Sequence, residues 1–300
     1  MATQKDLDFT YSTIDQIFRL SMGETADFSG AMYNGNFSLS LEEAQRAKHE
    51  FIADSLGINK GSKVLDMGCG WGPFSRFVQE RGGESTGLTL SQGQVEACRK
   101  NGLTVHLKDC RYVHPGDYGI FDAVSCVGAF EHFCSIEDWK AGKQEKIYHD
   151  FFRAVYNLLP KGGRFYLQTM VFGRNMIDFE DIDIKAQKGS AAHVMALMVK
   201  EFPGSWLPYG LEMVVRNADP FFKVVSKSSG RLDYIETIRQ WRRRFRTFNL
   251  KKYWLYLTLV PNFFTDEEFR HRVSIFRISP NKICFEKEIM DHYRIVLEKK

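Results

Sequence analysis

From residue 63 to the C-terminus, short apolar runs alternate with longer stretches in which apolar residues recur every three or four positions. The runs at 63–67, 85–90, 104–109, 121–127 and 164–171 read as buried strands, and the segments at 74–80 and 92–100 read as the helices between them. Later come a strand at 222–227, a helix at 234–248 and a terminal strand at 292–299. This rhythm predicts an α/β fold with a doubly wound, mostly parallel, seven-stranded sheet.

Upstream of the first strand, SLEEAQRAKHEFIADSLGI begins with Ser40 followed three residues later by Glu43, a capping-box signature. Ala44, Ala47, Phe51 and Leu56 share one side of that helix, and Glu42, Arg46 and Glu50 the other. Residues 1–60 are therefore expected to form an N-terminal helical cap on a single domain spanning 1–300. The rhythm breaks at 173–215, polar and then Met-rich, directly after the carboxyl end of a core strand. Open sheets bind ligands at that edge. An insertion there could cover a substrate, or Met195, Leu197 and Met198 could simply be packed in the core.

With 300 residues, 44% of them hydrophobic, the chain can fill a large core. A formal charge of +4 is too small for a nucleic-acid binder. The basic cluster RQWRRRFR, Arg239 to Arg246, reads as the solvated face of a helix. Six cysteines without a CxxC pair, and no secretory leader, suggest reduced thiols and a cytoplasmic protein. The longest apolar runs fall short of the ~20 residues that span a bilayer. No metal-ligand spacing is present.

The chemistry concentrates in VLDMGCGWG, where a strand ends in Asp66 and glycines stand at Gly68, Gly70 and Gly72. Alternate glycines let a ligand touch the backbone, and a helix starting near Pro73 would aim its free amides at a carboxylate or phosphate. The spacing is DxGxGxG rather than GxGxxG, and the second strand ends in GLTLS without an acid, which disfavours a dinucleotide. No GK[ST] follows, so a P-loop fails as well.

Together, VLDMGCGWG, GLTLSQGQ, FDAVSCVGAFEHF and LLPKGG resemble the S-adenosylmethionine-dependent methyltransferases of the cyclopropane fatty acid and mycolic acid synthase family. SLEEAQRAK, FPGSWLP and DYIETIRQW extend the resemblance over most of the chain. It implies a Rossmann-like class I methyltransferase fold with S-adenosylmethionine as cofactor. By position, Asp66, Gly68, Gly70 and Gly72 would lie at the methionine portion, and Thr89, Leu90 and Gln94 at the ribose. Asp109 and Cys110 would sit beside adenine, Gly128 and Ala129 would line the methionyl part, and Tyr11 and Tyr33 would close the pocket.

The resemblance also implies the reaction. The family's nucleophile is an isolated alkene in a lipid chain; methyl transfer creates a carbocation, and a base removes a proton. Glu131 matches the motif carboxylate associated with a bound bicarbonate, and Tyr234 the tyrosine near that anion. Two positions depart from the pattern: Gly35 stands where a cysteine is expected and Gln168 where a histidine is usual. A glutamine amide can still hydrogen-bond an anion but cannot change charge. Bicarbonate is thus a possible second ligand that these departures put in question.

Three readings follow: C-methylation of an unsaturated lipid or isoprenoid, N-methylation of a small amine, and cofactor binding without catalysis. An alkene acceptor would favour aromatic faces near the cation, for which Phe130, Phe133, Phe172, Trp206 and Trp241 are candidates, each also a plausible core residue. His132 is expected to be packed or hydrogen-bonded and matters only for an amine. The basic cluster could meet a headgroup, an acyl-carrier phosphopantetheine or a diphosphate at a peripheral membrane or carrier contact. The C-terminal FEKEIMDHYRIVLEKK is expected to run past the family's usual ending.

Overall fold

A computed structural model of the chain describes residues 20–22, 27–202, 204–265 and 279–300. The predicted seven-stranded sheet forms, from β1 (Lys63–Met67), β2 (Glu84–Thr89), β3 (Thr104–Leu107), β4 (Ala123–Val127), β5 (Arg164–Phe172), β6 (Phe222–Ser229) and β7 (Met290–Lys299). Their spatial order is β3-β2-β1-β4-β5-β7-β6. The first five are parallel, and β7 runs antiparallel between β5 and β6. The order reverses between β1 and β4, which opens a crevice at their carboxyl ends.

The helices are α1 (Leu41–Leu56), α2 (Pro73–Glu80), α3 (Gln92–Lys100), α4 (Pro115–Tyr118), α5 (Ile136–Lys140), α6 (Gln144–Leu158), α7 (Ala191–Glu201), α8 (Gly210–Ala218), α9 (Arg231–Arg246), α10 (Leu250–Thr265) and α11 (Ser279–Glu286). The capping box of α1 is present, with Ser40 accepting from the Glu43 amide and the Glu43 carboxylate accepting from the Ser40 amide.

Strand residues alternate between two apolar layers, as a sheet buried on both faces requires. Leu65, Met67, Val124, Phe165 and Leu167 pack against Tyr148, Phe151, Phe152 and Val155 of α6. Val64, Ala123, Tyr166 and Val296 point the other way, onto Ile52, Ala53 and Leu56 of α1 and Phe74, Phe77 and Val78 of α2. A third cluster joins Tyr33 and Leu41 to Val194, Met195 and Met198 of α7, to Trp206, and to Tyr234, Ile238 and Trp241 of α9.

Several expectations are corrected. The third strand stops at Leu107, because the Asp109 carboxylate caps a 3-10 turn, Cys110–Tyr112, by accepting from the Arg111 amide. Strand two starts one residue earlier and leaves Leu90 outside it, strand four starts at Ala123, and the helix expected at 234–248 runs Arg231–Arg246. The C-terminal stretch supplies β7, which pairs with β5 over nine positions, Arg164↔Glu298 through Phe172↔Met290, and completes the sheet.

On α1 the buried face includes Lys48 and His49, which the pattern placed with neither side. Lys48 Nζ donates to Asp27 Oδ2 at 2.7 Å and to Ser29 Oγ at 2.5 Å, while His49 Nε2 lies 2.8 Å from the same Asp27 oxygen. Burial opposes ionisation of Asp27, yet the Lys48 charge and the His49 hydrogen bond hold its carboxyl well below the usual range. This pin anchors residues 27–33 as a strap over the sheet edge. Its Gly30 carbonyl accepts from Gln168, its Ala31 amide donates to Thr237 Oγ1, and its Ala31 carbonyl accepts from Arg294.

Candidate functional site

The glycine loop folds back over the sheet edge: the amides of Gly68 and Cys69 both donate to the Leu88 carbonyl at 2.9 Å. Gly68 has φ +78°, and a β-carbon built on it would lie 2.4 Å from Ala129 Cβ, so the loops after β1 and β4 are in direct contact. Gly70 (φ +55°) and Gly128 (φ +79°) differ, since a β-carbon on either would meet nothing within 4 Å. They border open space, where a bound molecule can reach the backbone. The N-terminus of α2, with Gly72 as cap and Pro73 at its first position, opens from the same loop and has no acid in its first turn.

Asp66 does not reach into that space. Its buried carboxylate accepts from Ser75 Oγ and Ser125 Oγ, both at 3.1 Å, and burial pushes its pKa up to about 6. It ties β1 to α2 and β4, shaping the loop from beneath. At the end of β2, Thr89 Oγ1 donates to Gln94 Oε1 at 2.5 Å, and both side chains are buried, whereas Leu90 is exposed. Asp109 is held by Arg111, which donates from Nη2 at 2.6 Å and from Nε at 3.1 Å. Arg111 also lies over the Phe133 ring and donates to the Phe133 carbonyl, linking the loops after β3 and β4. Beside it, burial pushes the Cys110 thiol up to about 12, so that thiol stays protonated.

Glu131 lies in the turn Ala129–His132 after β4. It is buried, its Oε1 accepts from the Met170 amide at 2.8 Å, and burial pushes its carboxyl up to about 8. Tyr234 is an electrostatic neighbour: burial first, and then the Glu131 charge, raise its phenol well above the ordinary value. The ring fits because position 30 is glycine; a β-carbon there would stand 2.3 Å from Tyr234 Cδ2.

Gln168 is held by the protein at both amide atoms, with Nε2 donating to the Gly30 carbonyl and Oε1 accepting from Tyr166, both at 2.9 Å. Gly35 sits in an exposed turn with φ +82° and nothing within 4 Å of a built β-carbon. Neither departure places a side-chain hydrogen bond on Glu131 or Tyr234 among the described residues. Tyr33 is buried and its hydroxyl has no partner among the described residues. Tyr11 lies outside the described residues.

The aromatic candidates divide. Phe130 and Phe133 are core, packed with Phe151 under α6. Phe172 and Trp206 belong to a second group with Trp139, Phe179 and Tyr209 beyond the end of β5. Trp241 stacks on Phe28 at 4.3 Å and meets the Tyr234 ring edge. The segment after α7 is fastened by its backbone: Trp206 N donates to Cys134 O, and Gln144 Nε2 donates to the carbonyls of Trp206 and Leu207. Met195 and Met198 are buried on α7, and Leu197 is half-buried. His132 is exposed and pairs with Ser205 Oγ at 2.7 Å. Within the basic cluster, Arg239 pairs with Glu236 and Arg244 with Glu42.

Sequence reasoning missed Arg111, Lys48 with Asp27, and Arg294, which bridges Ala31 O and Asp233 Oδ2 at 2.7 and 2.9 Å. Only the unusual placement of charge among apolar positions could have signalled them. The six cysteines are buried and form no disulfide. Among the described residues, no group of His, Cys, Asp or Glu is placed to hold a metal ion, and no helix is long and apolar enough to cross a membrane. A cavity of about 280 Å³ beside Phe37, Ile235, Glu236 and Arg239 borders the outer side of α9 and includes none of the strand-end loops.

The strand order, the glycine loop meeting Ala129, and the space bordered by Gly70 and Gly128 define a class I S-adenosylmethionine-dependent methyltransferase. A family model described as mycolic acid cyclopropane synthetase matches residues 2–264, and the chain belongs to that family. It is 29% identical over 279 residues to hydroxymycolate synthase MmaA4 of Mycobacterium tuberculosis, covering 88% of this chain and 89% of the relative. The mycolic acid cyclopropane synthase CmaA1, crystallised with SAH and CTAB, superposes with a TM-score of 0.77 at 25% identity, covering 100% of this chain and 99% of that one. Coclaurine N-methyltransferase, bound to N-methylheliamine and SAH, shares the fold with a TM-score of 0.73 at 18% identity, covering 100% and 83%.

Proposed function

We propose that the chain methylates a carbon of an alkene in a lipid or isoprenoid acceptor, with Glu131 as the base that completes the reaction. The observation that carries this reading is the Glu131 carboxylate itself, buried beside the glycine cradle and held by one backbone amide. Relatives named for mycolate synthesis support a lipid acceptor.

Cofactor binding would fall to the loop at Gly68, Gly70 and Gly72 and to Gly128 and Ala129. Thr89 and Gln94 supply hydroxyl and amide groups for a ribose, with Leu90 beside them. Asp109 and Cys110 would border the adenine side, where Arg111 holds the Asp109 carboxylate by charge-assisted hydrogen bonds. The buried, unpartnered Tyr33 hydroxyl supports a role in closing the pocket. Asp66 acts from below as a positioning residue. When bound, S-adenosylmethionine supplies a methyl already activated on its sulfonium, so the chain mainly holds, aligns and excludes water.

Alkene methylation leaves a carbocation on the acceptor, with a new carbon–carbon bond where the double bond was. A carboxylate that accepts a proton from the transferred methyl leaves that C–H electron pair to close a cyclopropane onto the cation, and one that accepts it from a carbon next to the cation restores a double bond. Glu131 can take that proton directly. We assign this step to Glu131 without a bicarbonate, because Gln168 is engaged by Gly30 and Tyr166 and Gly35 offers no side chain. Tyr234, close enough to feel the Glu131 charge, would border the same spot.

The segment 173–215, fastened at Trp206, would cover the acceptor side of the site. Purified protein given labelled S-adenosylmethionine with a lipid extract, and separately with small amines, tests the proposal. Label partitioning into the lipid phase supports it; transfer only to amines replaces it with N-methylation.

A further inference from the structure

Helix α10, Leu250–Thr265, carries its apolar residues on the wrong side for a packed helix. Leu250, Tyr253, Trp254 and Leu257 follow the spacing of a single helical stripe, which in a globular protein faces the core. Here they face out, with Leu250 75%, Tyr253 45%, Trp254 70% and Leu257 63% exposed, next to Phe248 at 71%. The opposite side meets the body. Lys252 is buried, and its ammonium donates to the carbonyls of Arg244, Phe245 and Thr247 at the end of α9, while Asn249 donates to Leu20 O. The stripe is therefore presented outward by a fixed first turn.

The charge along α10 and on its approach from α9 has one sign, and acidic residues resume only at Asp266. From Thr237 to Thr265 the chain holds seven Lys and Arg and no Asp or Glu. Among the described residues, no carboxylate pairs with Arg243, Arg246 or Lys251, all of them exposed. An exposed apolar stripe containing Trp and Tyr, bordered by unpaired cations, matches a helix that lies in the interface of an anionic bilayer. At 16 residues the helix is about 24 Å long, too short for a hydrocarbon core of about 30 Å, so it lies on the surface rather than spanning it.

We propose that α10 docks the enzyme on an anionic lipid surface, inserting Leu250, Trp254 and Leu257 below the headgroups while Arg243, Arg246 and Lys251 meet the phosphates. The surface is independent of which acceptor atom is methylated, although docking would place the site next to a lipid acceptor.

The test is co-sedimentation of the full chain with vesicles of phosphatidylcholine alone and of phosphatidylcholine with phosphatidylglycerol. Three predictions follow: binding about tenfold or more stronger to the anionic vesicles, weakening at high salt, and at least a tenfold loss in W254S/L257S and in R246E/K251E. S-adenosylhomocysteine binding by each variant, expected to be unchanged, shows that the fold is intact. Methyl transfer to detergent-dispersed acceptor should also survive in the variants, so that docking can fail while the proposed reaction stands, or the reverse. Equal binding to both vesicle types, binding unchanged in both variants, or a dimer that W254S/L257S splits would overturn the proposal, the last in favour of a second copy of the chain on this face.

Discussion

Gly68 and Ala129 touch across the sheet edge: a β-carbon on Gly68 would stand 2.4 Å from Ala129 Cβ, with φ +78° at the glycine. Gly68→Ala adds both a clash and left-handed strain, and should lower stability by about 2–4 kcal/mol. Gly70→Ala meets nothing within 4 Å, so it should lose only about 1–2 kcal/mol while its methyl would intrude on the proposed cofactor site. Thermal unfolding with calorimetric titration of S-adenosylhomocysteine separates the two. The expected result is that Gly70→Ala loses at least as much affinity as Gly68→Ala at a smaller cost in Tm.

Glu131, with its pKa pushed up by burial to about 8, binds its proton in the folded chain at pH values where the unfolded chain has released it. Its protonation stabilises the fold fully below the ordinary carboxylate value of 4.5, and that contribution is lost as pH rises to about 8. Glu131→Gln removes the loss, so its Tm relative to wild type should climb between those pH values and level off above them. As the proposed base, Glu131 must be ionised, so kcat/KM should rise with pH through about 8, and Glu131→Gln should reduce turnover by about 100-fold or more.

Removing Asp27 strands the Lys48 ammonium, which is 1% exposed. Asp27→Ala should cost about 3–5 kcal/mol by urea unfolding. Asp27→Ala with Lys48→Met should recover most of that, since no buried charge is left alone. In acid, the Asp27 contribution is present above the ordinary carboxylate pKa and is lost below it, because its folded value is depressed.

Gln168→Ala would leave the Gly30 carbonyl and the Tyr166 hydroxyl unpaired inside the protein, a loss of about 1–3 kcal/mol. Because Gly30 packs on Tyr234, the same change should lower kcat more than it weakens cofactor binding. Pre-steady-state transfer alongside calorimetric titration reads both effects.

Periodicity carried the fold well where burial is uniform. β1 and α3 have the bounds that their patterns predict, since both faces of β1 are buried and α3 is capped by Ser91. It failed where a polar side chain does backbone work, as at Asp109, whose cap ends β3 early. In the candidate site, the glycine loop was singled out by its spacing, because few residue types permit a backbone approach, and Glu131 by the resemblance that GAFEHF carries. The strap was not legible. Asp27, Lys48 and Arg294 are ordinary surface residues by type, and only their pairing across distant parts of the chain makes them buried. Likewise, the stripe on α10 reads as core by pattern and is exposed in the fold.

The central claim is that an acceptor carbon receives the methyl. Transfer from S-adenosylmethionine carrying a carbon-13 methyl to a defined monounsaturated lipid, followed by carbon NMR of the product, tests it most directly. The account predicts label bonded to a former alkene carbon, in a ring or a branch, and loss of that signal in Glu131→Gln. Label found only on nitrogen or oxygen, or unmodified alkene despite bound cofactor and a range of lipid acceptors, would contradict it.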